Sequence, residues 1–191
     1  NNNISKLSPS NLKGINSIFA EKPDYTDKVK TINDAYLEQF VNNNNNDKLS
    51  ELSLSGLQVI NNIFIGNEDY TDRLETINNA YLEQFVNNDN DKLSELTLSD
   101  LKDINNVFED KQDYTDKVVT INNKYLEQFV NNDNDKLSEL SSFDLQDINN
   151  MFRYKQKNTG MLKRLNHAYL EQFIKDNNKM SNLEFNNFKH I

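Results

Sequence analysis

The side chains of this chain that could bind a metal ion or transfer protons are its 30 acidic residues and its two histidines. Acid-rich segments of the form Asn-Asp-Asn-Asp-Lys-Leu-Ser-Glu resemble calcium-binding loops, but an EF-hand loop needs Gly at its sixth position and a bidentate Glu at its twelfth. Counted from Asn87, those positions hold Lys92 and Leu98. His167 and His190 have no cysteine or suitably spaced carboxylates to complete a transition-metal site. We therefore expect no metal ion and no other cofactor.

Catalytic motifs are absent from the sequence. It contains no glycine-rich phosphate-binding or dinucleotide-binding motif and no Gly-x-Ser-x-Gly nucleophile elbow. Without cysteine there is no thiol nucleophile and no disulfide. The acidic pairs lie on polar faces, where nothing would move the pKa of a carboxyl group toward a catalytic value. We expect that the protein is not an enzyme and that it has no small-molecule ligand.

The first candidate for a binding surface is a glutamate within a repeated segment. Tyr-Leu-Glu-Gln-Phe occurs four times, beginning at Tyr36, Tyr81, Tyr125 and Tyr169. On a helical wheel with about 100° per residue, this glutamate points away from the apolar stripe, and polar residues one turn earlier lie near the same angle. The predicted partner-binding strip consists of Glu38, Glu83, Glu127, Glu171, Asp34, Asn79, Asn123 and His167. The alternative interpretation is a solvated face that was copied with the repeat.

A second candidate surface is a basic cluster in the fourth copy. There "RYKQKNTGMLKR" (153–164) replaces "EDKQDYTDKVVT" (109–120) of the third copy. This change favours a docking patch for an acidic protein partner, because complementary charge guides the encounter of two proteins. The predicted basic patch consists of Arg153, Lys155, Lys157, Lys163 and Arg164. The alternative is sequence drift in a terminal repeat.

These residues are carried by a tandem repeat. The tyrosines at 36, 81, 125 and 169 are 45, 44 and 44 residues apart, a period typical of helical arrays. Each unit contains a short helical pattern, as in "LTLSDLKDINNVF", and a longer one that ends in the Tyr-Leu-Glu-Gln-Phe segment. We predict an all-α fold, an α-solenoid of tandem helix-loop-helix repeats of 44–45 residues that forms one elongated, curved domain over residues 1–191. The predicted units are 4–48, 49–92, 93–136, 137–179 and a partial fifth unit, 180–191, giving about 4.5 units.

The ends and edges of the predicted helices carry recognisable polar residues. A Ser or Thr precedes each short helix as its N-cap, namely Ser8, Ser53, Thr97 and Ser141. The glutamine of the repeated segment lies at the margin of the apolar stripe, so we predict that it hydrogen-bonds at a packing edge. Its copies are Gln39, Gln84, Gln128 and Gln172.

Composition excludes several classes of partner. The net charge is −9 and the sequence pI is about 4.7, whereas nucleic acids and anionic membranes require a basic surface. No segment reaches the roughly 20 apolar residues that cross a bilayer. Because the chain begins with Asn and stops inside a repeat, we expect it to be part of a longer protein. We predict a protein partner, with no nucleic acid and no membrane contact.

The array as a whole resembles the helical-repeat domain of the rickettsial formin-like actin assembly factors, the surface cell antigen two family. The resemblance rests on tandem helical pairs such as "LTLSDLKDINNVF…DYTDKVVTINNKYLEQF", the absence of cysteine, and a composition rich in Asn, Lys and Ile. It implies an autotransporter passenger domain on the bacterial cell surface, with a role in virulence. It also implies that the domain nucleates or elongates actin filaments together with another helical-repeat domain of the same protein. The alternative is a general α-solenoid scaffold or effector domain that binds another host or bacterial protein.

Overall fold

A computed structural model of the protein describes residues 4–41, 46–87, 92–108, 111–131 and 135–175. Within these ranges the chain forms α-helices and short 3-10 turns and no β-strand, so the predicted all-α class is confirmed. Helices of two lengths alternate because two apolar patterns alternate in the sequence. The predicted partial fifth unit, 180–191, lies outside the described residues.

The shorter helices begin at the predicted Ser or Thr caps. In all four copies the cap hydroxyl accepts a hydrogen bond from the backbone N–H three residues later, which confirms the prediction for Ser8, Ser53, Thr97 and Ser141. Such a cap contributes about 1 kcal/mol because it satisfies an N–H that has no partner within the helix. The capped helices are α1 (Pro9–Phe19), α4 (Leu54–Phe64), α7 (Leu98–Phe108) and α10 (Ser142–Phe152).

The longer helices each follow a 3-10 turn and begin at a threonine. They are α2 (Thr26–Val41), α5 (Thr71–Val86), α8 (Thr115–Val130) and α11 (Thr159–Lys175). The turns before them are Pro23–Tyr25, Glu68–Tyr70, Gln112–Tyr114 and Gln156–Asn158. The third residue of the turn is tyrosine in the first three copies and Asn158 in the fourth.

A third, very short helix precedes each later copy of the capped helix, and the sequence did not predict it. These helices are α3 (Asn46–Ser50), α6 (Lys92–Glu95) and α9 (Asp135–Glu139), and a 3-10 turn at Ile4–Lys6 takes the same place in the first copy. Four or five residues complete little more than one helical turn, so they show no apolar period and need tertiary contacts to be stable.

The predicted role of the repeated glutamine is confirmed in three copies. Gln39 Nε2 donates to the backbone oxygen of Ile4 at 3.4 Å, and Gln84 Nε2 donates to that of Leu49 at 3.4 Å. Gln128 Nε2 donates to the backbone oxygen of Leu93 at 2.9 Å. Each bond joins a long helix to the short helix or turn 35 residues earlier. The glutamine therefore anchors a segment that is too short to show a helical period in the sequence.

The chain divides into two compact units, Asn1–Gln84 and Phe85–Ile191. In the first unit α1 packs against α2 and α4, and α2 also contacts α3. In the second unit α8 packs against α6, α7, α9 and α11, and α10 packs against α7 and α11. Within each unit, helices of the same type from consecutive repeats therefore lie side by side.

The core of each unit consists of aliphatic residues with aromatic pairs at the ends of the helices. Leu12, Leu37 and Ile60 in the first unit, and Ile104 and Leu126 in the second, are fully buried. The paired rings are Phe64 with Tyr70, with centroids 4.6 Å apart, and Phe108 with Tyr114, 5.1 Å apart. Burial raises the pKa of Tyr36 and of Tyr125 to about 12, because the phenolate would lose its hydration.

Asparagine is a poor helix former, yet two asparagines inside the helices pair with each other in every copy of the repeat. In the third copy Asn105 Nδ2 donates to Asn122 Oδ1 at 2.8 Å, and Asn122 Nδ2 donates to Asn105 Oδ1 at 2.9 Å. Asn105 Nδ2 also donates to the backbone oxygen of Leu101. The equivalent pairs are Asn16 with Asn33, Asn61 with Asn78, and Asn149 with Asn166. The hydrogen bonds of each pair offset the cost of placing asparagine inside a helix. They also fix how the short helix packs on the long helix of the same repeat.

Candidate functional site

The four repeated glutamates occupy the same position on the four long helices. Glu38 on α2, Glu83 on α5 and Glu171 on α11 are exposed, whereas Glu127 on α8 is half-buried. The Glu171 Oε1 atom lies 3.5 Å from His167 Nδ1, one helical turn away, and both side chains are more than half exposed. A glutamate at this position is therefore presented to solvent in three of the four copies.

The polar residues one turn before the glutamates are not a second outward row. The Asp34 carboxylate accepts a hydrogen bond from Arg73 Nη1 of α5 at 2.6 Å. The Asn123 Oδ1 atom accepts from Asn158 Nδ2 at 2.9 Å, in the turn before α11. Both side chains are half-buried, as is Asn79 at the same position of α5, while His167 is exposed.

The expectation that Asp34 and Asn123 point outward is therefore corrected. Each contacts the next repeat within its own compact unit, and so contributes to the contact between repeats. The helical wheel gave the angle of each residue around its own helix, but it could not show on which side the following helix packs. The part of the predicted strip that remains accessible consists of the exposed glutamates and His167.

The predicted basic patch is divided in the same way. Lys155 is half-buried and its Nζ donates to Asn105 Oδ1 at 2.8 Å. The Lys157 Nζ atom lies 2.8 Å from the Asp116 carboxylate of α8, which lowers the pKa of that carboxyl group. Both lysines thus contact the third repeat. An ion pair as exposed as Lys157–Asp116 adds little to stability. An acidic partner would nevertheless have to compete with Asp116 for Lys157.

The other three residues of the basic patch are exposed. Arg153 lies at the C-cap of α10, and Lys163 and Arg164 both lie on the second turn of α11. The Arg164 Nη1 atom approaches Met161 Sδ at 3.8 Å. Because two of its lysines contact the third repeat, the docking patch inferred from sequence reduces to these three side chains.

Nothing in the described ranges resembles a metal centre. No group of three or more His, Cys, Asp or Glu side chains within residues 4–175, outside the undescribed gaps, is placed to hold a metal ion. His190, the second histidine considered in the sequence, lies outside the described residues. Among the described helices, none is both long enough and apolar enough to span a bilayer.

Helix order, capping and asparagine pairing together define an all-α protein built from tandem copies of one helical repeat. The chain matches no family model. Comparison with curated proteins and with solved structures also found no match. The class of the protein therefore rests on its own repeated geometry.

Proposed function

We propose that this protein is a non-enzymatic protein-interaction domain whose partner binds along the exposed glutamates of the long helices. The observation that supports this most directly is the exposure of Glu38, Glu83 and Glu171, while the residues one turn earlier include contacts between repeats. In the first compact unit Glu38 and Glu83 lie one repeat apart, and this repeated negative charge suits a partner segment with basic side chains.

We propose further that the repeats continue as one α-solenoid, as the period of 44–45 residues predicts. The side-by-side packing of like helices within each compact unit supports this arrangement. Small-angle X-ray scattering of the 191-residue chain should then give an elongated particle, with a radius of gyration clearly above the roughly 16 Å expected for a compact domain of this length. A value near that of a compact sphere would contradict the solenoid.

For the partner, we propose actin, with the protein exposed on a bacterial surface. This choice rests on the resemblance to the formin-like actin assembly factors and on no contact described above. In such a protein the domain acts with a second helical-repeat domain to nucleate or elongate filaments. If actin is not the partner, the same surface suits a scaffold or effector domain that binds another basic protein segment.

Charge reversal tests both the partner and the surface. We expect the wild-type chain to change the rate of pyrene-actin assembly and to sediment with filaments. Reversing the three exposed glutamates should weaken this binding at least about tenfold, because like charges then face each other across the interface. The substitutions are Glu38→Lys, Glu83→Lys and Glu171→Lys. All three side chains are exposed, so the circular dichroism spectrum and the melting temperature should change little.

A control variant carries the same change in net charge, but at exposed acidic residues other than Glu38, Glu83 and Glu171. Its substitutions are Glu21→Lys, Glu68→Lys and Glu139→Lys. Equal loss of binding in both variants would mean that only the overall charge matters. If binding is unchanged when Glu38, Glu83 and Glu171 are reversed, these glutamates do not contact the partner. No effect of the wild-type chain on actin, and no actin in pull-downs, would remove actin as the partner while leaving an interaction domain.

A further inference from the structure

In the first compact unit, the turn that begins the second repeat is held by a lysine of the first. Lys30 Nζ on α2 lies 2.9 Å from the carboxylate of Asp69, in the turn Glu68–Tyr70. The same Nζ lies 5.4 Å from the centroid of the Tyr70 ring. On its own repeat this ring packs against Phe64, and it is only 4% exposed. The preceding long helix thus binds an Asp-Tyr pair through one cation.

The second compact unit has an ion pair at the equivalent junction. Lys157 is the middle residue of the turn Gln156–Asn158, as Asp69 is of its turn, and it lies 2.8 Å from Asp116 of α8. The two signs are exchanged between the turn and the preceding long helix. Because opposite charges select the partner surface, the sign on each side determines which turn suits which helix.

The first repeat presents an Asp-Tyr turn of the same kind. Asp24 and Tyr25 stand where Asp69 and Tyr70 stand in the second repeat. Tyr25 packs against Phe19 with ring centroids 5.0 Å apart, so the turn is built in the same way. Tyr25 is nevertheless 42% exposed, against 4% for Tyr70, and Asp24 is exposed as well. What differs is the lysine-bearing helix that covers the turn of the second repeat.

The last described helix carries the matching lysine. Lys163 is the fifth residue of α11, as Lys30 is of α2, whereas α5 and α8 have Glu75 and Val119 there. Lys163 is exposed, and within the described ranges it forms no ion pair. Among the four long helices, α11 alone repeats the cation that α2 offers to an Asp-Tyr turn.

Apolar side chains of the same helix are also uncovered. Leu170 is 45% exposed, and Ile174, one turn later, is 67% exposed. Leu37 and Leu126 hold the position of Leu170 in repeats that are followed by another repeat of their unit, and both are 0% exposed. Leu170 is therefore a residue of the type that a following repeat buries.

We propose that a second copy of this chain docks on α11 through its first repeat. Lys163 of one molecule pairs with Asp24 of the next and lies over the Tyr25 ring, as Lys30 does with the second repeat, and the docked repeat covers Leu170. The two surfaces differ, so the contact is heterologous and each molecule keeps one surface for a further copy. This self-association is separate from the partner proposed for the exposed glutamates. It also gives Lys163, part of the predicted basic patch, an acidic partner.

Sedimentation of the 191-residue chain over a range of micromolar concentrations tests the proposal. The average mass should rise with concentration above the 22.3 kDa of one chain. Lys163→Glu and Asp24→Lys should each weaken association at least about fivefold, because like charges then meet. Both residues are exposed, so the circular dichroism spectrum should change little. Arg164→Glu is the matched control, with the same charge change at the adjacent exposed residue, and should associate like the wild type.

Mixing the two reversed variants tests which surfaces meet. An equimolar mixture of Lys163→Glu and Asp24→Lys should recover association, because each variant then offers the opposite charge to the other. The double variant Asp24→Lys/Lys163→Glu should recover it within one chain for the same reason. A wild-type chain that stays at the mass of one molecule, a mixture that does not recover, or an equal loss in Arg164→Glu would overturn the proposal.

A further variant should strengthen the contact. In the first compact unit Arg73 Nη1 lies 2.6 Å from the Asp34 carboxylate of the preceding long helix. The corresponding residues of the two proposed surfaces are Lys28 on α2 and His167 on α11. His167→Asp should therefore supply the missing carboxylate and tighten self-association about two- to fivefold. Unchanged or weaker association of His167→Asp in the same sedimentation experiment would contradict docking in this register.

Discussion

Replacing Asn105 with alanine is expected to lower the free energy of unfolding by about 2–4 kcal/mol, as measured by urea denaturation. Asn105 and Asn122 are 2% and 1% exposed, and they exchange two hydrogen bonds of 2.8 and 2.9 Å. Alanine at 105 would leave the buried Asn122 amide without that partner, at a cost of about 1–3 kcal/mol for each unpaired group. Lys155 Nζ would also lose its acceptor on Asn105.

Asn106→Ala is the matched control for this prediction. Asn106 is exposed and adjacent on the same helix, so alanine there changes the intrinsic helix propensity but removes no buried pair. We expect Asn106→Ala to be neutral or slightly stabilising. In the double variant Asn105→Ala/Asn122→Ala the cost should be clearly less than the sum of the two single costs, because no buried amide is left alone. Equal effects at 105 and 106 would show that the pair contributes nothing.

Leu126→Ala is expected to cost about 2–5 kcal/mol of unfolding free energy. Leu126 is 0% exposed on α8, which packs against helices on several sides, so truncation removes apolar contacts and leaves a cavity that the neighbours cannot fill. Denaturation in urea, followed by circular dichroism, measures the change.

The fourth repeat supplies an internal control for this core position. Leu170 occupies the place of Leu126 in the repeated segment, but it is 45% exposed. Leu170→Ala should therefore cost less than about 1 kcal/mol, because a side chain that is already hydrated loses little on truncation. Similar costs at the two positions would mean that burial does not determine the contribution of this leucine.

The sequence predicted those features that depend on one helix at a time. The all-α class, the Ser and Thr caps, and the edge position of Gln39 all follow from periodicity and from the local chemistry of helix ends. The short helices such as α6 were missed because four residues carry no period, although Gln128 bonds to one of them. The pattern of a single helix does not show which other helix packs against it.

The candidate surfaces show this limit most clearly. Glu38 was placed correctly on an exposed face, but Asp34, one turn away, contacts Arg73 of the following long helix. Lys155 was grouped with other cations, yet it donates to Asn105 of the preceding repeat. Asn158 lies inside the replaced segment 153–164, and its burial appears only when the turn is packed against α8. Each of these differences is a contact between consecutive repeats.

The asparagine pairs have a consequence for how such an array can change in evolution. In every copy the two partners are 17 residues apart within the same repeat, so no pair depends on the identity of a neighbouring copy. Recombination between two copies of the gene segment at equivalent positions would delete or duplicate one whole period and leave every pair complete. The number of copies can therefore change without redesign of the helix packing inside any of them.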